Sequence, residues 1–168
     1  MVEFEIYNGS DTERYVLGTK GNNPLIVIGI NPSIANEETS DNTISRVMGY
    51  AQRFGYDSFI MVNIYPLRAT HFNKLPQEFN KQVHKQNLME INKAIKNASA
   101  ILCAWGTHIC DREYFKICYK DIFKIISANN IPTYCLGKTK NGHPLHPLLR
   151  GIPVPENLLK FDMSSYIV

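Results

Sequence analysis

Four polar stretches carry residue types from which a binding or reaction site can be built: Asn31-Pro32-Ser33, Asn63 followed by Arg68, Trp105-Gly106-Thr107-His108, and the segment from Thr139 to Leu148 with His143 and His146 beside prolines. An amide offers a donor and an acceptor on one planar group, an aromatic ring offers a face, and a histidinium stabilises developing negative charge. That inventory suits a heterocycle, such as a nucleobase held by its edge and stacked on its face, better than a metal or an acyl group. Each residue also has a plainer role: Asn31 as the start of an Asn-Pro turn, Trp105 as core packing, Arg68 as a surface ion pair. The carboxylates near these stretches are Glu37, Glu38 and Asp41.

The elements that must position them follow from hydrophobic pattern. Pro24 to Ile30 is an unbroken apolar run stopped by Asn-Pro, which reads as a strand covered on both faces and therefore central and parallel. Pro32 fixes its own φ and pushes Asn31 towards an extended conformation at the strand's carboxyl end, where ligands bind in open α/β sheets. Phe59 to Pro66 repeats that grammar and delivers Asn63; Ala100 to Gly106 delivers Trp105; Ile131 to Gly137 precedes the histidine segment. Between these strands, Ile44, Val47, Met48 and Ala51 have helical spacing, with Arg46, Tyr50 and Arg53 on the polar face. Leu88, Ile91, Ile95 and Ala98 mark a second helix, and Phe115, Cys118, Ile122, Ile125 and Ile126 a third. Alternating residues at Glu3 to Tyr7 and Arg14 to Gly18 predict an N-terminal hairpin, and the stretch from Arg150 is expected to lie along the surface. The expected architecture is a single domain over 1–168, a three-layer α/β/α sandwich with a short, mostly parallel four-stranded sheet.

Composition narrows the classes. The 168 residues are 44% hydrophobic and 20% charged, as in ordinary globular proteins, and the apolar runs are too short to cross a bilayer. With no basic-then-apolar leader, a cytoplasmic location without membrane attachment is expected. Cys103, Cys110, Cys118 and Cys135 lack Cys-x-x-Cys spacing and the five histidines lack metal-ligand spacing, so free thiols and neither metal nor cofactor are expected. A net charge of +3 permits nucleic acid without arguing for it. Arg112, Lys116, Lys120 and Lys124 form a basic stripe at helical spacing, which reads more simply as a solvated face.

The order Gly-x-Asn-Pro, apolar run to Asn, Trp-Gly and His-Pro-x-His-Pro-Leu resembles the uracil-DNA glycosylase superfamily, particularly its mismatch-specific branch. More closely, Asn31-Pro32-Ser33-x-Ala35, Asp41-x-Thr43-x-x-Arg46, Asn63 to Arg68, Trp105-Gly106 and Gly142-x-Pro144-x-His146-Pro147-Leu148 resemble a family of unknown function numbered sixteen-forty-three. The resemblance implies a glycosylase-like fold with strand order 2-1-3-4. It implies that Asn31 aligns an attacking water, that Asn63 reads the base edge, and that His146 serves the leaving base or the DNA backbone. Ser33 departs from the mismatch branch, and the Asp41, Thr43, Arg46 set has no counterpart there.

The function expected on these grounds is nucleobase recognition, extending to N-glycosidic hydrolysis of a base in DNA or in a nucleotide. Asn31 and His146 are the candidate catalytic residues, and Pro32, Ser33, Asp41, Arg46, Asn63, Arg68, Trp105, Gly106 and His143 the candidate binding residues. Two alternatives stand beside it: a non-catalytic nucleotide- or nucleic-acid-binding module, favoured because an amide activates water less well than a carboxylate, and an enzyme acting on an unrelated small metabolite.

Overall fold

The computed structural model describes residues 4–35, 38 and 40–166; Glu3, at the start of the expected hairpin, and Glu37, one of the carboxylates near the Asn-Pro-Ser stretch, lie outside them. Among the described residues, seven strands and three α-helices follow one another along the chain. They are β1 (Ile6–Gly9), β2 (Arg14–Gly18), β3 (Pro24–Gly29), α1 (Asn42–Arg53), β4 (Ser58–Asn63), α2 (Lys81–Ala94), β5 (Ala100–Cys103), α3 (Glu113–Ala128), β6 (Thr133–Cys135) and β7 (Leu159–Lys160).

The apolar runs become the middle of one sheet. β3 is buried at every residue and pairs in parallel with β4 on one side and β5 on the other, and β6 pairs in parallel with β5. Taken as first to fourth, these parallel strands lie in the order 2-1-3-4. Alternation of side chains then divides the core between the two faces of the sheet. Ile26 and Ile28 join Ile91 and Ile95, which belong to α2 and its C-cap, and Phe115, Cys118 and Ile122 of α3 on one face; Leu25 and Val27 join Ile44, Val47 and Ala51 of α1 on the other. Each fully buried aliphatic side chain contributes about 1.5–3 kcal/mol, so both layers are held chiefly by this burial.

Helix boundaries are local chemistry. Asp41 caps α1, its Oδ1 accepting from the Ile44 amide at 2.8 Å, and Asn80 caps α2 in the same way. The α1 helix ends before Gly55, whose φ of +82° closes the turn.

The sheet has seven strands where four were expected. The N-terminal hairpin is continuous with it, because β2 pairs antiparallel with β4 through Leu17↔Met61 and Gly18↔Ile60. The segment after Arg150 does not merely lie on the surface. It adds β7 antiparallel to β6 and buries Phe161 and Met163 in the core, which is apolar area that the surface would leave in water. Tyr50 is also buried, not solvated: its hydroxyl donates to the Pro147 carbonyl at 2.6 Å. Among the described residues, no helix is long and apolar enough to cross a membrane.

Candidate functional site

The carboxyl ends of β3 and β5, the amino end of α1 and the loop 139–150 enclose a cleft of about 810 Å³. Ligands of parallel sheets bind at this edge because the loops there are free of the sheet's own packing. Asn31, Ser33, Asp41, Trp105, Gly106 and His146 line it; Pro32, Arg46, Asn63, Arg68 and His143 do not.

Asn31 is oriented by its neighbours. Its Nδ2 donates to the Ala69 carbonyl at 2.9 Å and to the Pro32 carbonyl at 3.0 Å, while the Ala69 amide returns a bond to Pro32 O at 2.9 Å. Carbonyls crowd one end of the amide group and so identify that end as nitrogen. Oδ1 accepts nothing from the described residues and is the atom offered to the cleft.

His146 is held as a neutral donor. Its Nδ1 accepts from the Leu148 amide at 3.2 Å, which places the ring proton on Nε2. Burial, aided by His108 and Arg150, lowers its pKa, and Asp41 opposes this weakly. The ring therefore supplies a neutral N–H rather than the histidinium considered from sequence. Gly106 packs under it with φ +69° and ψ −162°, and a Cβ there would come within 3.4 Å of His146 Cβ.

Other predicted residues hold the frame. Arg68 is fully engaged: Nε donates to Ser10 O at 2.9 Å, Nη1 to Ser33 O at 3.1 Å and Ala35 O at 2.8 Å, and Nη2 to Tyr7 OH at 2.6 Å. It pins the Asn-Pro-Ser loop to the hairpin. Trp105 borders the cleft but its ring is wholly buried among Tyr119, Phe161 and Tyr166, with Nε1 donating to Tyr166 OH at 3.1 Å, so the ring offers no open face for stacking. His143 is buried behind it, with Nδ1 2.6 Å from Tyr166 OH and Nε2 3.6 Å from Cys110 Sγ. Arg46 is exposed on α1. Asp41 caps α1 through Oδ1 and is the one carboxylate lining the cleft among the described residues.

Asn63 lies one layer beneath the wall. It is 1% exposed, and neither Oδ1 nor Nδ2 has a partner among the described residues. A Cβ on Gly29 would sit 2.8 Å from Asn63 Oδ1 and 2.5 Å from Met61 Cε, and both Gly29 and Met61 line the cleft. The missing side chain at Gly29 is therefore what lets the cleft approach this amide.

Comparison with known families adds one finding. Residues 14–148 match a family model described as "Protein of unknown function (DUF1643)". The chain belongs to that family. No curated protein and no solved structure matched in the same comparisons. The DUF1643 span begins at Arg14 and ends at Leu148, so it takes in most of the cleft and leaves β1 and β7 outside.

Arg14 itself is the residue that the sequence reading passed over. It is 2% exposed, lines the cleft, and donates from Nη1 to Ala35 O at 3.0 Å, while Nε has no partner among the described residues. No described carboxylate lies within ion-pair distance of it. Burial pushes its pKa down to about 10, partly offset by the field of Asp41, and it stays charged at neutral pH. Pattern gave it to the hairpin, since an Arg opening a strand ordinarily reaches water; only the tertiary closure of the loop bearing Ala35 buries it. The basic stripe of α3 is a solvated face in its lysines: Lys120 and Lys124 are exposed, and Lys116 pairs with Glu113 and Lys124 with Asp121 within the helix, while Arg112 at the N-cap donates to the Leu75 and Pro76 carbonyls. Among the described residues no cluster of three metal-ligating side chains occurs.

Proposed function

We propose that this protein recognises a nucleobase in the cleft and hydrolyses the N-glycosidic bond that carries it. The observation that carries the reading is the Asn63 amide, buried with donor and acceptor both unpaired beside the Gly29–Met61 wall. A buried amide without partners costs about 1–3 kcal/mol for each open group, and a base edge presenting a complementary donor and acceptor relieves both at once. The glycosylase-like resemblance of the Asn31, Asn63 and His146 segments and the parallel order 2-1-3-4 support the same reading.

The chemistry assigns one role to each open atom. Asn31 Oδ1 accepts a hydrogen bond from a water and orients it towards the anomeric carbon. As the bond to the base breaks, its electron pair moves into the ring, and the Nε2–H of His146 stabilises the oxygen on which charge collects. Water supplies the hydroxyl to the sugar. An amide cannot take the water's proton, so Asp41, the carboxylate on the cleft wall, receives it on the way to the departing base.

The test is to incubate the protein with nucleosides, nucleotides and oligonucleotides containing uracil or hypoxanthine and to quantify free base by chromatography. Release that falls by at least about a hundredfold in Asn31→Ala, the range for removing an oriented catalytic group, is the expected result. Absence of both binding and release across the set overturns the proposal. The second reading, a non-catalytic binding module, has its own observation: Asp41 Oδ1 is already occupied as a helix cap. Binding without release, unchanged in Asn31→Asp, selects it.

A further inference from the structure

We propose that Arg14 is an anion-binding residue of the cleft and that the anion is the phosphate ester of a nucleotide, which rests on the nucleobase reading for the identity of the remainder of the ligand.

The argument starts from what a buried guanidinium requires. It carries five N–H donors and a permanent charge, and placing it in the interior without a counter-ion is among the costliest arrangements a fold can hold. Two arginines meet at the Ala35 carbonyl, and only one of them is satisfied. Arg68 reaches Ala35 O at 2.8 Å and engages every one of its nitrogens, whereas Arg14 reaches the same oxygen at 3.0 Å and leaves Nε without a partner among the described residues. Arg68 alone suffices to hold that carbonyl, so holding it does not explain why Arg14 is buried. Arg14 lines the cleft, and its unpaired nitrogen belongs to the fork that binds two oxygens of a phosphate or carboxylate side by side.

The surroundings favour an anion. Arg150, His71, His108 and His146 line the same cleft, and Asp41 is the single described carboxylate there. Asp41 acts on Arg14 through space without reaching ion-pair distance, and its Oδ1 is committed to the Ile44 amide. A phosphate fits these groups better than a carboxylate because a further oxygen remains, beyond the two a guanidinium fork takes, for the cleft's hydroxyls, among them Ser33, Thr43 and Thr139.

The experiment compares four probes on the intact protein by calorimetry: inorganic phosphate, acetate, a nucleoside and its 5′-monophosphate. In parallel, the arginine Nε–H resonances are followed by NMR while phosphate is added, with the Arg14 signal identified by its loss in Arg14→Lys. Phosphate is expected to bind in preference to acetate and to shift the Arg14 resonance. The monophosphate is expected to bind about ten- to a hundredfold more tightly than the nucleoside, an advantage that Arg14→Met abolishes. Equal affinity for nucleoside and monophosphate, equal response to acetate and phosphate, or an unmoved Arg14 resonance overturns the anion site. The resonance arm uses the parent protein and stands even where Arg14→Met fails to fold. Phosphate binding that needs Arg14 but gains nothing from an attached base upholds the anion site and sinks the nucleobase reading instead.

Discussion

Two groups of buried polar side chains flank Trp105-Gly106, and they are organised in opposite ways. Behind the tryptophan, polar atoms close upon one another: Trp105 Nε1 on Tyr166 OH at 3.1 Å, Tyr166 OH with His143 Nδ1 at 2.6 Å, and Tyr119 OH on Met163 O at 2.8 Å, all wrapped in aromatic rings. On the other side of Gly106 atoms are left open: Arg14 Nε in the cleft wall and both ends of the Asn63 amide one layer beneath it have no partner among the described residues. A satisfied network in a low-dielectric interior rigidifies, while each open group there costs stability until something binds it. The difference separates a part that serves the fold from a part that burdens it, and burdens of this kind are characteristic of ligand sites.

Substitutions sharpen that contrast, and the largest effect belongs to the closed side. Trp105→Ala should lose about 3–5 kcal/mol of unfolding free energy in urea titrations, since it removes a fully buried ring and the partner of Tyr166. The two arginines give the sharper comparison. Arg68→Met should cost about 2–3 kcal/mol by stripping donors from Ser10, Ser33 and Ala35, whereas Arg14→Met should leave the urea midpoint unchanged or raise it, because it removes a buried charge that no ion pair among the described residues compensates. A destabilisation by Arg14→Met equal to that of Arg68→Met would erase the distinction between the two regions. Tyr166→Phe should cost about 1–2 kcal/mol, measured in the same way, through the lost hydroxyl that bridges Trp105 and His143.

Smaller effects are expected in the cleft itself. Asp41→Asn keeps a capping side chain and should shift stability by less than about 0.5 kcal/mol, with any loss of ligand affinity then reporting the carboxylate and not the helix. His146 gives a pH signature. Its pKa is lowered in the folded protein, so the unfolded chain holds the extra proton first as pH falls below about 6.5. Its contribution to stability is complete above that pH and is lost as pH falls towards the folded value, and His146→Gln should flatten this part of a melting-temperature profile.

How much of this was legible beforehand depended on whether a feature was local. The parallel strands, the three helices and the delivery of Asn31 and His146 to one edge all follow from short-range pattern, because period and turn chemistry act over a few residues. Arg14, Trp105 and the tail did not yield to such reading. Arg14 is buried by a loop some twenty residues away, held in part by Arg68, and no spacing records that. Trp105 has the right position for stacking, but its face is taken by Phe161 and Tyr166, which sequence pattern left on the surface. Tyr50 sits on what reads as the polar face of α1 and instead anchors Pro147, since a tyrosine can be both apolar body and polar tip.

The covering of Trp105 by the segment 161–166 also constrains the order of events during synthesis. Every residue of β3, β4 and β5 is available long before Phe161, Met163 and Tyr166 emerge, so for the interval in which 106 to 160 are being made the ring has no lid. Contacts of such long sequence separation close late and leave apolar surface exposed to other nascent chains. The segment 161–166 thus sets when the Trp105 ring is covered, independently of how stable the fold is once made.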